Sequence, residues 1–127
     1  MDHLNSEDIL TGHCHCGNIT LKIPHLSKTA TECNCSICSR YAAIWGYFKD
    51  SEVKIITKEN NVGDYSWGDK DIIFHHCTNC GCITHYSSAN KSNSERVAVN
   101  YRMFNPTILT TIKIRHFDGA VSWTYID

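Results

Sequence analysis

Eight cysteines in 127 residues constrain this chain more than any other feature of its sequence. They occur in three short clusters, GHCHCG, CNCSIC and CTNCGC, whereas disulfide frameworks usually spread cysteines to join distant loops. Two thiols that leave one tight turn can share a metal ion with little extra loss of conformational entropy. The spacing therefore predicts metal ligands in place of disulfides.

The remaining composition supports the same interpretation. Residues 1–12 are polar and acidic, without the basic start and apolar run of a secretion signal, and no stretch approaches the roughly 20 apolar residues of a membrane span. We therefore expect a cytoplasmic protein with no membrane partner, in a reducing compartment that disfavours disulfides. A formal net charge of −1 lacks the basic stripe that nucleic-acid binding requires.

Strand patterns dominate the chain. Ile19, Leu21 and Ile23 alternate with polar residues, as in a half-buried strand. The other candidate strands are 43–48, 53–57, 71–76, 82–87, 97–101, 112–117 and 121–126. Polar segments at 58–71 and 88–95 are predicted connections, and short helices are predicted at 36–41 and 106–110. The expectation is a single mainly β domain over residues 1–127, with antiparallel sheets and very little helix.

The first and third clusters together offer a closed metal site. On an extended chain, Cys14 and Cys16 would leave the same face, because side chains alternate with period two. Cys77 and Cys80, followed by Gly81, match a zinc knuckle. The four sulfurs are the number that a tetrahedral structural zinc requires.

The middle cluster is different because Cys33, Cys35 and Cys38 supply only three thiolates. Three protein ligands and an open position are typical of a catalytic zinc, which could accept an exogenous thiol. Alternatively a fourth residue closes the site. The candidates for that ligand are Cys82, His13, His15, His75, His76 and His85. For any one histidine, a supporting or surface role is favoured over ligation.

Four segments in order carry a resemblance to a known family: GHCHCGNITLKI, CNCSICSRYAAIWGYF, YSWGDKDIIFHHCTNCG and VNYRMFNP. From about Gly12 to Pro106, the chain resembles the glutathione-dependent formaldehyde-activating enzymes, a family that also contains the catalytic-like domain of centromere protein V. The resemblance implies a zinc-stapled fold of the β-tent type. It implies two zinc ions, one on Cys14, Cys16, Cys77 and Cys80, and a catalytic one on Cys33, Cys35 and Cys38.

The family's activity is condensation of formaldehyde with glutathione to S-hydroxymethylglutathione, formally a carbon–sulfur lyase acting in reverse. Arg40, Tyr41, Trp45 and Trp67 lie in or near the matching segments and are candidates for the mouth of the site, although aromatic residues in strands usually belong to the core. The alternative function is a non-catalytic, zinc-stabilised module that binds a protein partner. Iron is the chemical alternative to zinc in such knuckles.

Overall fold

A computed structural model describes residues 10–68, 70–89 and 96–126. Its elements, in chain order, are β1 (Thr11–His13), β2 (Ile19–Lys22), β3 (Thr29–Cys33), α1 (Ser36–Tyr41), β4 (Trp45–Lys49), β5 (Lys54–Thr57), β6 (Val62–Tyr65), β7 (Ile72–Cys77), β8 (Ile83–Ser88), β9 (Arg96–Asn100) and β10 (Lys113–Phe117). Short 3₁₀ helices lie at Asp50–Glu52, Tyr101–Met103 and Pro106–Thr110. The fold is mainly β, as predicted.

The strands form two sheets. The smaller has the order β1-β2-β5, and the larger has the order β10-β3-β4-β9-β8-β7-β6. Every pairing is antiparallel except that of β3 with β10, which is parallel and aligns Thr29 with Lys113. The parallel pair brings the C-terminal part of the chain beside Cys33, because Phe117 lies opposite Cys33 in the register.

The two faces of the larger sheet pack differently. Phe48 and Val99 join Ile19 and Leu21 of the smaller sheet in one buried core. On the other face, Trp45, Phe74 and Ala98 form a second core that contacts the middle cysteine cluster. Because side chains alternate along each strand, neighbouring residues such as Ala98 and Val99 serve opposite faces.

Most predicted elements are confirmed, with informative exceptions. The helix at 36–41 and seven of the eight predicted strands are present, and the helix at 106–110 is a 3₁₀ helix. The strand predicted at 121–126 is wrong: this segment is a compact turn joined to β10 by a single bridge between Phe117 and Tyr125. A strand, β6, occurs inside the predicted connection 58–71. Residues 1–9 and 90–95, which hold most of two predicted polar segments, lie outside the described residues.

No helix in the described part of the chain is long and apolar enough to cross a membrane.

Candidate metal centres and an adjoining aromatic cavity

Four cysteines from distant parts of the chain meet at one end of the core. The sulfur atoms of Cys14, Cys16, Cys77 and Cys80 all lie within 4.8 Å of one another. Cys16 Sγ is 3.8 Å from Cys14 Sγ and 3.6 Å from Cys77 Sγ. All eight cysteines of the chain are free thiols. The long-range grouping predicted from the sequence is therefore the one that the fold produces.

Both pairs leave tight turns that end in glycine. The Gly17 N–H donates to the Cys14 carbonyl at 3.0 Å, and the Gly81 N–H donates to the Cys77 carbonyl at 2.8 Å. Gly17 and Gly81 both have a φ of +83°, which other residues rarely adopt. The extended Cys14–Cys16 segment assumed from the sequence is wrong, since the two cysteines lie in a turn between β1 and β2. The turn still directs both sulfurs to one point.

The spacing of these sulfurs suits a tetrahedral ion. A Zn–S distance of about 2.3 Å places tetrahedral sulfurs about 3.8 Å apart. The two measured separations, 3.8 and 3.6 Å, agree with that geometry. This four-sulfur cluster could therefore hold a metal ion.

The pKa values of Cys14, Cys16 and Cys80 are shifted in different directions. Burial raises the pKa of Cys14 to about 11. The side chain of Asn79 and the backbone N–H of Asn18 lower the pKa of Cys16. Desolvation opposes ionisation of Cys80, but N–H groups of neighbouring backbone lower its pKa to about 5. Thiolate is thus already favoured at part of the cluster, where a cation would find negative charge.

Cys82 belongs beside this first cluster and not at the second. Its carbonyl accepts a 3.0 Å hydrogen bond from the Cys77 N–H, which closes the knuckle turn and holds Cys82 near Cys77 and Cys80. The suggestion that Cys82 closes the second site is therefore wrong, because the turn holds it beside the four-sulfur cluster. None of the histidines among the described residues joins either sulfur cluster.

The second cluster, of Cys33, Cys35 and Cys38, forms where β3 passes into α1. Its three sulfurs lie within 4.8 Å of one another. Cys35 caps α1, since its sulfur accepts from the Cys38 N–H at 3.4 Å. Cys33 Sγ accepts from the Cys35 N–H at 3.5 Å. One short strand-to-helix turn therefore positions all three ligands, and among the described residues this cluster offers three sulfurs and no fourth ligand.

Burial dominates the electrostatics of this second cluster. Desolvation raises the pKa values of Cys33 and Cys38. At Cys35, desolvation acts in the same sense, but hydrogen bonds led by the Cys38 N–H outweigh it and lower the pKa. Three thiolates in so confined a space repel one another, and a divalent cation would relieve that repulsion.

Trp45 supplies a further polar group at this cluster. Its side chain is 1% exposed, and no described residue accepts a well-formed hydrogen bond from its Nε1. The indole N–H lies close enough to Cys38 to lower the pKa of that thiol against the effect of burial. A buried N–H without a well-formed bond is costly, and a thiolate at Cys38 is the acceptor that suits it.

A cavity of about 310 Å³ opens directly over the three sulfurs. Cys33, Cys35 and Cys38 contribute to its lining. Its walls are mainly aromatic and include Trp45, Tyr47, Trp67, Phe74, Tyr86 and Trp123. A second cavity, of about 410 Å³, adjoins Cys33 and Cys38 and is lined by more polar residues such as Glu32 and His116. The three-sulfur cluster is therefore accessible to small molecules.

The sequence matches the family of glutathione-dependent formaldehyde-activating enzymes over residues 9–115. The chain belongs to this family. In a search of solved structures, the crystal structure of a Rhodobacter sphaeroides protein is similar, with 28% sequence identity and a TM-score of 0.67. That similarity covers 82% of this chain and 98% of the other. No curated protein gives a significant match.

The family match ends before the segment that completes the cavity. Phe117, Gly119 and Trp123 all line it, and all lie beyond residue 115. Asp118 organises this segment: its carboxylate accepts from Asn34 Nδ2 at 3.0 Å and from the Ser122 hydroxyl at 2.8 Å. The sequence did not predict that this segment lines the cavity, because residues 121–126 have the pattern of a strand. The alternation of apolar residues favoured a strand there, although the pair Asp118–Gly119 is a turn signal.

Of the four residues predicted at the mouth of the site, two line the aromatic cavity and two do not. Trp45 and Trp67 line the aromatic cavity. Arg40 instead donates to the Ser36 carbonyl of its own helix at 2.7 Å. Tyr41 packs edge-on against Phe74, with ring centroids 5.3 Å apart, and is not among the residues that line the cavity.

A hydrogen-bonded chain of polar residues runs across β6, β7 and β8. His75 Nδ1 is 2.7 Å from Asp64 Oδ1, and His75 Nε2 is 2.7 Å from Ser87 Oγ. The His75 ring also stacks on His85 at 4.4 Å. His75 and His85 thus take part in a polar network within the sheet, and neither belongs to a sulfur cluster. No sequence pattern pairs Asp64 with Ser87, because the three strands meet only in the folded sheet.

Proposed function

We propose that this protein is a zinc-dependent carbon–sulfur lyase acting on a thiol–aldehyde adduct, in a reducing compartment such as the cytoplasm. The observation that carries the proposal is the three-sulfur cluster of Cys33, Cys35 and Cys38 at the floor of an open cavity. Membership of the glutathione-dependent formaldehyde-activating family supports it. The four-sulfur cluster is proposed as a second, structural zinc site.

The reaction requires one bond to form and one proton to move. A thiolate sulfur bonds to the carbonyl carbon of the aldehyde, the carbonyl π electrons move to oxygen, and that oxygen takes a proton from water. In the reverse direction the hydroxyl loses its proton and the carbon–sulfur bond breaks. A zinc ion held by Cys33, Cys35 and Cys38 would supply positive charge that lowers the pKa of an incoming thiol.

The protein's own groups would hold the three cysteine ligands in place and shield them from water. The backbone of the strand-to-helix turn fixes Cys33 and Cys35 through N–H donors. The Trp45 N–H would stabilise negative charge on Cys38. The aromatic walls exclude water from one side of the cluster, which strengthens each electrostatic interaction there.

The test uses NMR exchange spectroscopy on an equilibrium mixture of glutathione and formaldehyde. The wild-type protein should speed exchange between free thiol and adduct, and Cys35→Ser should abolish the acceleration. Cys82→Ser serves as the matched control, since Cys82 belongs to neither sulfur cluster and the variant should retain the wild-type rate. If wild type and Cys35→Ser give the same exchange rate as buffer, this pair is not the substrate.

The alternative function is a zinc-stabilised module that binds a protein partner. One observation favours it: the side chains of Val121, Trp123 and Ile126 are 82%, 73% and 61% exposed on the C-terminal turn. Exposed apolar side chains of this size can mark a binding surface. Under this alternative the thiol exchange rate stays at its buffer value for every thiol tested, while both metal sites remain filled.

A further inference from the structure

The walls of the aromatic cavity define what kind of thiol it can admit. We infer that this cavity binds thiols that carry an aromatic or bulky apolar group more tightly than it binds glutathione, whose peptide is charged. This inference rests on the proposed function, because it assumes that a thiol reaches the three-sulfur cluster. It concerns the part of the substrate that the cavity walls contact.

Contacts between rings hold the cavity walls in place. Tyr86 packs edge-on against Trp45 at 4.7 Å and against Phe74 at 5.4 Å. Tyr47 packs on Tyr86 from the other side at 6.4 Å, and Arg96 lies 4.0 Å over the Tyr47 ring. Rings fixed in this way offer a preformed apolar surface, so little conformational entropy is lost when a ligand ring packs against them.

The lining offers no cationic partner for a carboxylate. Neither cavity beside the cluster has a lysine or arginine among the described residues that line it. In the more polar cavity, His116 is already paired with Glu32 at 3.1 Å. Glutathione has two carboxylates, and burying either without a charged partner is costly. A neutral apolar thiol avoids that cost.

The cavity volume also suits a small ring. An apolar cavity of about 150 Å³ is enough to bind benzene. The 310 Å³ available here would admit a phenyl group with a short arm that reaches the sulfurs. Trp67 and Trp123 stand partly exposed at this cavity, at 52% and 73%, and a bound ring would cover them. Trp123 lines this cavity from a segment beyond the family match, so the inference assigns that segment a part in substrate specificity.

The test compares three probes by calorimetry and tryptophan fluorescence on the zinc-loaded protein: 2-phenylethanethiol, glutathione and 2-phenylethanol. We expect 2-phenylethanethiol to bind at least about tenfold more tightly than glutathione, the gain that burial of an aromatic ring supplies. It should also bind more tightly than 2-phenylethanol, which lacks the sulfur. Its binding should quench tryptophan emission.

Variants of the cavity wall test whether its tryptophan side chains supply the affinity for 2-phenylethanethiol. Trp67→Ala and Trp123→Ala should each weaken 2-phenylethanethiol binding several-fold and leave the weak glutathione binding unchanged. Tyr65→Ala is the matched control, because Tyr65 is 51% exposed, close to Trp67 at 52%, and does not line the cavity. It should bind all three probes as the wild type does.

The outcomes separate this inference from the proposed function. Glutathione affinity equal to or greater than that of 2-phenylethanethiol would overturn the inference and leave the proposed function standing. Equal affinity for the thiol and the alcohol would overturn the proposed function, since sulfur would then contribute nothing, and the inference would fall with it.

Discussion

Replacing Gly119 by alanine should weaken the second metal site while sparing the first. A Cβ atom on Gly119 would lie 2.6 Å from Cys33 Sγ and 3.2 Å from Cys35 Cβ. Non-bonded contact requires about 3.5 Å or more, so the sulfur or the turn must move by about 1 Å. In the metal-free protein the Cys33 side chain can rotate away at little cost.

A bound zinc removes that freedom. Zn–S distances tolerate deviations of only about 0.2 Å, so a ligand sulfur cannot move by 1 Å and remain bonded. We expect Gly119→Ala to lower the zinc affinity of the three-sulfur site by about 10- to 100-fold, the range seen when groups that support metal ligands are changed. The melting temperature of the metal-free protein should change little.

Chelator competition on the zinc-loaded protein measures this effect. The wild type should release two zinc ions in two steps, and Gly119→Ala should release one of them at lower chelator concentration. The four-sulfur site is the internal control, and Cys33→Ser marks complete loss of the second site. Wild-type retention of both ions by Gly119→Ala would refute the reasoning, because it would mean that Cys33 is not a ligand or that the turn does not lie against it.

Three further predictions concern zinc binding and the protonation of His85. Cys16→Ser should lose one zinc and lower the melting temperature by at least about 10 °C, whereas Cys82→Ser should keep both ions. Removing zinc with a strong chelator should lower the melting temperature of the wild type by a similar or larger amount, as scanning calorimetry would show. Burial, with a smaller effect of His75, lowers the pKa of His85 to about 3. Since the unfolded chain gains a proton below about pH 6.5 that folded His85 does not, stability should fall by about 2 kcal/mol between pH 7 and pH 5. Denaturant titrations of wild type and His85→Asn at both pH values would check this, and equal losses in the two proteins would contradict it.

Local features were predictable from the sequence. The helix at Ser36–Tyr41 and the knuckle at Cys77–Gly81 depend on neighbouring residues, and both are confirmed. The alternation of Ile19 and Leu21 correctly placed β2, because a half-buried strand must repeat with period two. The strands β1, β3 and β6 were not predicted. Of these, β6 contains Gly63 and Asp64, which are poor strand formers, and it exists because it pairs with β7.

Arrangements that depend on the long-range path of the chain were not predictable. Cys82 follows a knuckle and lies three residues from His85, but only the hydrogen bond to Cys77 shows which cluster it accompanies. The parallel pairing of β3 with β10 likewise has no local signal, since the two strands are separated by most of the chain. That pairing decides that Gly119 and Trp123 complete the cavity.

The sequence by itself thus determined the chemistry: eight cysteines in three close clusters, the grouping of seven of them as four and three, and the mainly β framework that carries them. The tertiary structure alone decided what surrounds the three-sulfur cluster, namely the Trp45 N–H, the aromatic walls and the C-terminal turn. The physical reason is that ligand spacing within a turn is fixed over a few residues. The walls of a cavity are contributed by strands whose contacts form only when the whole sheet assembles.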